Sequence, residues 1–181
     1  MVLVLGLGLV ILFAQASADH LHDFDYLLGD WEFTGTNQQY GKFHGYWSAA
    51  RLDDGEIFDE YRVTGDQGET YYVTRTIRAY NAKLDQWELV STEKGGGLQN
   101  LGTGHRDGAE VHIEQTFGAG SPNPSLWRIR YYDIQPDHFS WVGDRSNDHG
   151  KSWVSKYQQL EVKRLGPARS LALTSEKQAQ H

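Results

Sequence analysis

LWRIRYYDIQPDHFSWVGDRSNDHGKSW, residues 126–153, is the stretch of sequence that decides the fold. From 126 to 134 the side chains alternate between two faces, and this period of two predicts a strand. The Gln-Pro-Asp run at 135–137 fits a tight turn, because proline fixes φ at the second turn position. A further alternating set occupies 139–143, and the polar run at 147–150 turns the chain again. The stretch therefore predicts consecutive antiparallel strands joined by short turns.

The rest of the chain repeats this pattern in both directions from that stretch. The predicted strands cover 31–36, 42–52, 56–64, 70–80, 86–92, 98–105, 109–117, 126–134, a segment around 139–143, and 152–165. Turn signals at such regular spacing indicate an all-β protein, and closure into a barrel removes the exposed edges of a large open sheet. We therefore expect an antiparallel up-and-down β-barrel of about ten strands with an interior able to hold a small ligand. Residues 23–28 are expected to form a short N-terminal helical lid.

Composition sets the broad class. The chain has 181 residues, 20 glycines, 13% aromatic residues and no cysteine, which suits one domain stabilised by its own core. Its formal net charge of −7 and lack of a basic run argue against nucleic acid or an anionic membrane surface as a partner.

The N-terminus reads as a secretory signal peptide. Residues 1–14 are almost entirely apolar, and the small residues Ala16, Ser17 and Ala18 follow, so cleavage is expected before Asp19. A retained N-terminal anchor is the alternative. The predicted organisation is a signal peptide at 1–18, a barrel domain at 19–165 and a disordered tail at 166–181, in a protein that is secreted or periplasmic.

Several motifs resemble those of a known superfamily. LLGDW, residues 27–31, is similar to the Gly-x-Trp that opens the barrel of lipocalins and other calycins, where the Trp packs across the floor, often against an Arg of the last strand. The resemblance implies these roles for Trp31 and Arg164. The order FDYLLGDW, DDGEIFDEY, TIRAYNAKLDQW, FSW and a DxGxxW hairpin resembles more closely a group of uncharacterised secreted bacterial calycin-like proteins over 23–164. This likeness implies a lipocalin-like fold and almost no chemistry.

Two further resemblances, to a haem-binding barrel and to a propeller, do not fit the residues present. Nitrobindin-like haem barrels also begin with LLGxW, but their haem is held by a histidine near the end of the barrel, and the predicted last strand here has none. SNDHGKSW, residues 146–153, matches the Asp-box of sialidase-type propellers, which recurs in every blade there and occurs once here. It is expected to be a structural hairpin, in which Asp148 binds the turn backbone, Gly150 supplies an unusual φ and Trp153 packs beneath.

Arginines and aromatic residues on the predicted strands provide candidate ligand contacts. Arg128 and Arg130 share one strand face, and if that face points inward the two guanidinium groups need carboxylates or an anionic ligand. Arg78, flanked by aromatic residues, is a third interior candidate. The alternative is that the arginines form a solvated outer face or an ion-pair ladder, and that the tryptophans are plain core. The predicted ligand-binding set is Trp47, Asp59, Arg78, Trp87, Glu114, Arg128, Arg130 and Trp141, with Trp127 as a further wall candidate and Glu60 as a further acidic partner.

No complete catalytic motif is present, and three functions stay open. The first is a secreted barrel that binds a small, partly apolar molecule, either neutral or anionic. The second is a cofactor-independent lyase, hydratase or isomerase with Asp59 or Glu114 as proton carrier. The third is a structural or protein-binding barrel without a cavity. His112 and Glu114 alone share metal-ligand spacing, so neither a metal nor a cofactor is predicted. No membrane contact is expected after signal cleavage, and the oligomeric state is left open.

Overall fold

A computed structural model describes residues 20–52, 55–168 and 170–171, the last two by their backbone only. The predicted signal peptide and most of the predicted tail lie outside the described residues. The strands are β1 (Gly29–Asn37), β2 (Gly41–Leu52), β3 (Ile57–Thr64), β4 (Thr70–Asn81), β5 (Gln86–Glu93), β6 (Gly97–Asp107), β7 (Glu110–Phe117), β8 (Ser125–Tyr132), β9 (His138–Ser146), β10 (Val154–Gly166) and β11 (Ser170–Leu171).

Ten of these strands form a closed antiparallel barrel. Each strand from β1 to β10 pairs with its neighbour in sequence, and β1 also pairs with β10. Trp31 on β1 therefore faces Trp47 on β2 on one side and Arg164 on β10 on the other. The predicted all-β, ten-strand antiparallel barrel is confirmed. The short β11 pairs in parallel with the end of β2, and together with Gly166 at the end of β10 it places three residues of the predicted tail in the sheet.

One end of the barrel is filled by the segment that precedes β1. A helical lid was expected there, but in the described residues the segment forms a single 3-10 turn, Asp25–Leu27. Phe24 and Leu27 are fully buried, and the Phe24 ring lies 5.0 Å from that of Trp87 in an edge-to-face arrangement. The segment is therefore a plug that belongs to the core, because its apolar side chains are packed between the strands.

Arg164 fastens this closed end. Its guanidinium carbon lies 3.9 Å from the centre of the Trp31 ring, and its Nη1 donates a hydrogen bond of 2.8 Å to the Leu28 carbonyl. The Trp31 indole in turn donates to the Leu27 carbonyl at 2.7 Å. The first and last strands of the barrel thus both hold the plug, and the packing of Trp31 against Arg164 that the calycin resemblance implies is present.

The opposite end carries the connections at 38–40, 65–69, 94–96, 118–124 and 147–153, which together are called the mouth below. In the last of them, Asp148 accepts a 2.9 Å hydrogen bond from the Ser152 amide, Gly150 has φ +84°, and the Trp153 indole donates to the Gly150 carbonyl. The predicted structural role of the Asp-box hairpin is confirmed. Among the described residues, none of the helical segments has the length and apolar character needed to span a membrane.

Candidate functional site

The barrel interior contains a cavity of about 1040 Å³ that reaches the mouth at Tyr40 and Tyr71. Toward the closed end, large aromatic side chains fill the space between the strands. Nearer the mouth, the inward positions include smaller residues such as Thr74 and Ser91, which leave room. Small-molecule sites in proteins have volumes of roughly 300–1,000 Å³, so this cavity is large enough for a drug-sized ligand.

Aromatic rings form a large part of the cavity wall. Tyr61 stacks on Phe33 with ring centroids 4.7 Å apart, and Trp127 meets Tyr157 edge-on at 5.4 Å. Gly143 also faces the interior, where an added Cβ would lie 2.7 Å from the Trp141 ring and 2.8 Å from that of Trp127. The lining aromatic residues are Tyr40 and Tyr71 at the mouth and, further inside, Phe43, Trp47, Tyr61, Tyr72, Phe117, Trp127, Tyr131, Trp141 and Tyr157.

A buried ion pair lies at the base of the cavity. Arg78 on β4 donates from Nε to Oδ2 of Asp59 on β3 at 2.7 Å, and the Trp47 indole on β2 donates to the other carboxylate oxygen at 2.9 Å. Asp59 is 1% exposed and Arg78 is 3% exposed. Two adjacent strands therefore place opposite charges together and a third adds a hydrogen-bond donor, which is the condition under which buried charges are tolerated. Arg78 Nη1 has no hydrogen-bond partner within the described part of the chain.

Burial fixes the protonation of the groups around this pair. Burial is the largest influence and alone would lower the pKa of Arg78, but the charge of Asp59, its hydrogen bond and the nearby tyrosines together raise that pKa, so the guanidinium stays charged. Burial raises the pKa of Tyr131 despite the nearby charge of Arg78, and it raises the pKa of Tyr61 well above the ordinary value. Tyr72 on the same wall has a pKa of about 12, raised by burial. The phenols are therefore neutral hydrogen-bonding groups at physiological pH.

The structure adds a cation that the sequence reasoning missed. Arg145 on β9 lines the cavity in its mouth-side half, and its Nη1 donates a 2.6 Å hydrogen bond to the Tyr157 hydroxyl. That hydroxyl donates to Oε1 of Gln39 at 2.8 Å. The signal was available, because Arg145 continues the alternation of Phe139, Trp141 and Gly143 by one more step.

The arginines expected inside β8 lie outside. The side chains of Arg128 and Arg130 are 58% and 46% exposed, and their partners across the outer wall are Glu114 and Glu110, at 3.2 and 3.5 Å. The prediction that this face lines the interior is wrong, because the opposite face of β8, with Trp127, carries the buried side chains. The alternative of an outer ion-pair ladder describes what is found.

Two other predicted site residues also lie away from the cavity. Glu114 has a 75% exposed side chain on the outer wall, so it cannot act as a proton carrier inside the barrel. Trp87 is fully buried below the cavity, where it packs on Phe24 and its indole donates to the His20 carbonyl at 3.1 Å. It is a core residue of the closed end.

The structure brings together four of the eight predicted ligand contacts, namely Trp47, Asp59, Arg78 and Trp141. Of the two candidate catalytic carboxylates only Asp59 lines the cavity, and both of its oxygens already accept hydrogen bonds. Glu60 pairs instead with Arg62 and Arg75. Within residues 20–52 and 55–168, no three His, Asp or Glu side chains converge as metal ligands would. The presence of a cavity argues against a barrel whose interior is filled.

Fold and site together define a closed ten-strand antiparallel barrel whose interior cavity is open at one end. No protein-family model matches the chain, and no curated protein matches it. Among solved structures, the chain is similar to one described as "Structure of EF1p2_mFAP2b bound to DFHBI". The two share 15% sequence identity with a TM-score of 0.37, over 81% of this chain and 99% of that chain.

Proposed function

We propose that this barrel binds one small, partly apolar molecule in its interior cavity. The observation that carries the proposal is the cavity itself, about 1040 Å³ with aromatic walls and an opening at the mouth. A well-formed, largely apolar cavity with a few convergent polar groups is the usual form of a small-molecule site. The aromatic walls favour a flat, ring-containing ligand, because aromatic rings pack edge-to-face or offset against one another.

Polar groups that line the cavity would orient the bound ligand through hydrogen bonds. The hydroxyls of Tyr61 and Ser91 and Oδ1 of Asn100 are buried without a hydrogen-bond partner in the described residues. A buried polar group without a partner costs about 1–3 kcal/mol, so a ligand that pairs with one recovers that free energy.

The binding free energies involved indicate that the ligand needs both apolar burial and polar contacts. Burial of a two-ring aromatic molecule, about 200 Å² of apolar surface, contributes about 5 kcal/mol. A micromolar dissociation constant corresponds to about 8 kcal/mol, after the cost of association. Apolar burial alone therefore falls short, and polar contacts must supply the remainder.

The test is a panel of neutral and charged aromatic molecules, screened by thermal shift and by tryptophan fluorescence. A ligand present at 100 times its dissociation constant should stabilise the protein by about 2.7 kcal/mol. Ser91→Phe should abolish this shift, because Ser91 faces the cavity, whereas Val90→Phe, the outward neighbour on β5, should retain it. A panel that binds nothing, or a shift that survives Ser91→Phe undiminished, would contradict the proposal.

The proposal extends to where the protein works and to its relatives. We infer that residues 1–18 direct export and are removed before Asp19, which places the barrel outside the cytoplasm. Intact mass of the exported protein should correspond to a chain that begins at Asp19, and a full-length mass would contradict this. A relationship to calycins is supported by the packing of Arg164 on Trp31.

A further inference from the structure

Two arginines line the cavity, and among the described residues Arg145 has no carboxylate partner whereas Arg78 has one. Arg62, Arg75 and Arg78 each lie within 4.0 Å of an acidic side chain, as do Arg128 and Arg130. In the part of the chain that the structure describes, no ion pair of this kind involves Arg145. Its charge is therefore left to be balanced by solvent or by a ligand.

The guanidinium of Arg145 is held in place by its surroundings. It lies 4.9 Å from the centre of the Tyr157 ring and 6.0 Å from that of Trp127, and Nη1 donates to the Tyr157 hydroxyl. Because that hydroxyl donates to Gln39, it offers its lone pairs to Arg145. A cation ordered in this way loses little freedom when an anion binds.

Hydrogen-bonding capacity remains on the same group. A guanidinium has five N–H donors, and Arg145 Nε is buried with no partner in the described residues. A carboxylate matches this fork of donors, since arginine and carboxylate commonly form paired, charge-assisted hydrogen bonds.

Arg145 is the cation inside the cavity that has no carboxylate partner in the described residues, because the other charges on the wall are paired or lie at the mouth. Lys42 is exposed at the mouth, and His44 there lies 3.9 Å from Asp66. Asp59 and Arg78 neutralise each other at the base. Glu93 is directed toward the 94–96 turn of the mouth, where its Oε2 would lie 3.1 Å from a Cβ at Gly96, and Asp66 is 97% exposed to water. The aromatic wall beside Arg145 includes Trp127 and Trp141.

We propose that Arg145 is the anion-binding subsite of the cavity, and that the ligand is an aromatic carboxylic acid whose carboxylate pairs with Arg145 while its rings contact the tryptophan wall. This inference rests on the proposed function, because it assigns the chemical class of ligand for the same cavity. Arg145 takes the place of Arg128 and Arg130, the cations that the sequence predicted for an anionic ligand.

The experiment compares naphthoate with naphthamide, which share rings and shape and differ in charge. Dissociation constants are measured by tryptophan fluorescence and calorimetry at one pH and ionic strength. The wild-type protein should bind the acid about tenfold more tightly than the amide, the ratio given by one net charge-assisted contact. Arg145→Gln should weaken binding of the acid about tenfold and change binding of the amide by less than about twofold, so that the preference for the acid disappears.

Three variants make the outcome specific. Arg128→Gln removes the same charge from the outer wall and should leave both constants unchanged. Arg145→Lys keeps the positive charge but lacks the paired guanidinium donors, so it should retain part of the preference for the acid over the amide. Tyr157→Phe removes the hydroxyl that orients Arg145 and should weaken the acid more than the amide. Melting curves of each variant establish that the barrel is folded.

The outcomes separate the inference from the proposed function. If both compounds bind equally, or if the acid preference survives Arg145→Gln, the inference is overturned and the cavity stands as a neutral-ligand site. If neither compound binds at millimolar concentration while Ser91→Phe and wild type behave alike across the wider panel, the proposed function fails and the inference fails with it.

Discussion

Asp59 and Arg78 are the residues on which the interior depends most. Both are almost fully buried, and their contact joins β3 to β4 at the base of the cavity. A buried ion pair adds little to stability relative to apolar residues of the same size, but removal of one partner leaves the other charge in a low-dielectric interior. The two members of the pair are therefore far more costly to change singly than together.

Arg78→Met should lower the free energy of unfolding by about 3–5 kcal/mol, because the Asp59 carboxylate stays buried without its partner. The double variant Asp59→Asn/Arg78→Met should be more stable than Arg78→Met alone, since Asn keeps an acceptor for the Trp47 indole and carries no charge. Urea unfolding followed by tryptophan fluorescence measures both values.

The matched control is Arg75→Met. Arg75 lies on the same strand and faces outward, with a 42% exposed side chain paired to Glu60, so its loss should cost less than about 1 kcal/mol. Equal destabilisation by the two single variants would show that the buried charge is not the cause.

At this scale the sequence predicts which residues share a face but not which face is inside. Strand alternation placed Arg78 correctly in the interior and, by the same logic, placed Arg128 and Arg130 there wrongly. Both faces of β8 carry large side chains. Packing against the neighbouring strands determines which face points into the barrel, and the pattern of one strand alone does not contain that information. Arg145 lies one step beyond the predicted strand segment at 139–143, so that segment does not place it in the interior.

Among the elements, the hairpin at 146–153 is stabilised by local hydrogen bonds. Asp148 accepts from the hydroxyl of Ser152 at 2.6 Å and from its amide, and the Ser146 hydroxyl donates to it at 2.8 Å. The hydrogen bond from the Ser152 hydroxyl is the largest of the effects that lower the pKa of Asp148 to about 2. The ionised carboxylate is therefore the form that this hairpin requires.

The pH dependence of the hairpin follows from that pKa. Because the folded value is about 2 and the ordinary value is 3.8, Asp148 stabilises the folded hairpin above about pH 4, and this contribution is lost as the pH falls through 2. Carbon-detected NMR of the side-chain carboxyl should give a titration midpoint near 2. Ser152→Ala should raise that pKa toward 3.8, whereas Ser155→Ala should leave it unchanged. A titration midpoint that is the same in wild type and Ser152→Ala would show that the Ser152 hydroxyl does not lower the pKa of Asp148.

Strand positions were the most predictable elements. β4 and β5 were predicted to within one residue at each end, because Gly68 and the 82–85 turn interrupt the alternation clearly. A helical lid is predicted before β1, where the structure has one 3-10 turn within the plug, and the reason for the difference is physical. A segment of this length can satisfy its few backbone groups in one 3-10 turn, and the burial of Phe24 and Leu27 determines its shape more than helix propensity does.

For the molecule as a whole, β10 is the strand that closes the structure. It pairs with β1 on one side and with β9 on the other, and it contributes Leu160 and Val162 to the core as well as Arg164 to the closed end. Without it, the remaining sheet would be open, with two long unpaired edges.

A chain that ends at residue 153 should therefore lack a cooperative unfolding transition in urea, and its near-ultraviolet circular dichroism should be lost. The control is a chain that ends at residue 168, which keeps β10 and removes β11. It should unfold cooperatively, since β11 pairs with β2 through only two residues. A cooperative transition in the shorter chain would show that the barrel does not depend on its seam.

The seam between β1 and β10 has a consequence for biosynthesis. The strand that carries Trp31 is the first strand of the ring to be synthesised and the strand that carries Arg164 is the last, so the hydrogen-bonded ring cannot close until β10 has left the ribosome. Until then the nascent polypeptide has no completed sheet. The topology that closes the barrel thus delays the end of folding until the tenth strand has been made.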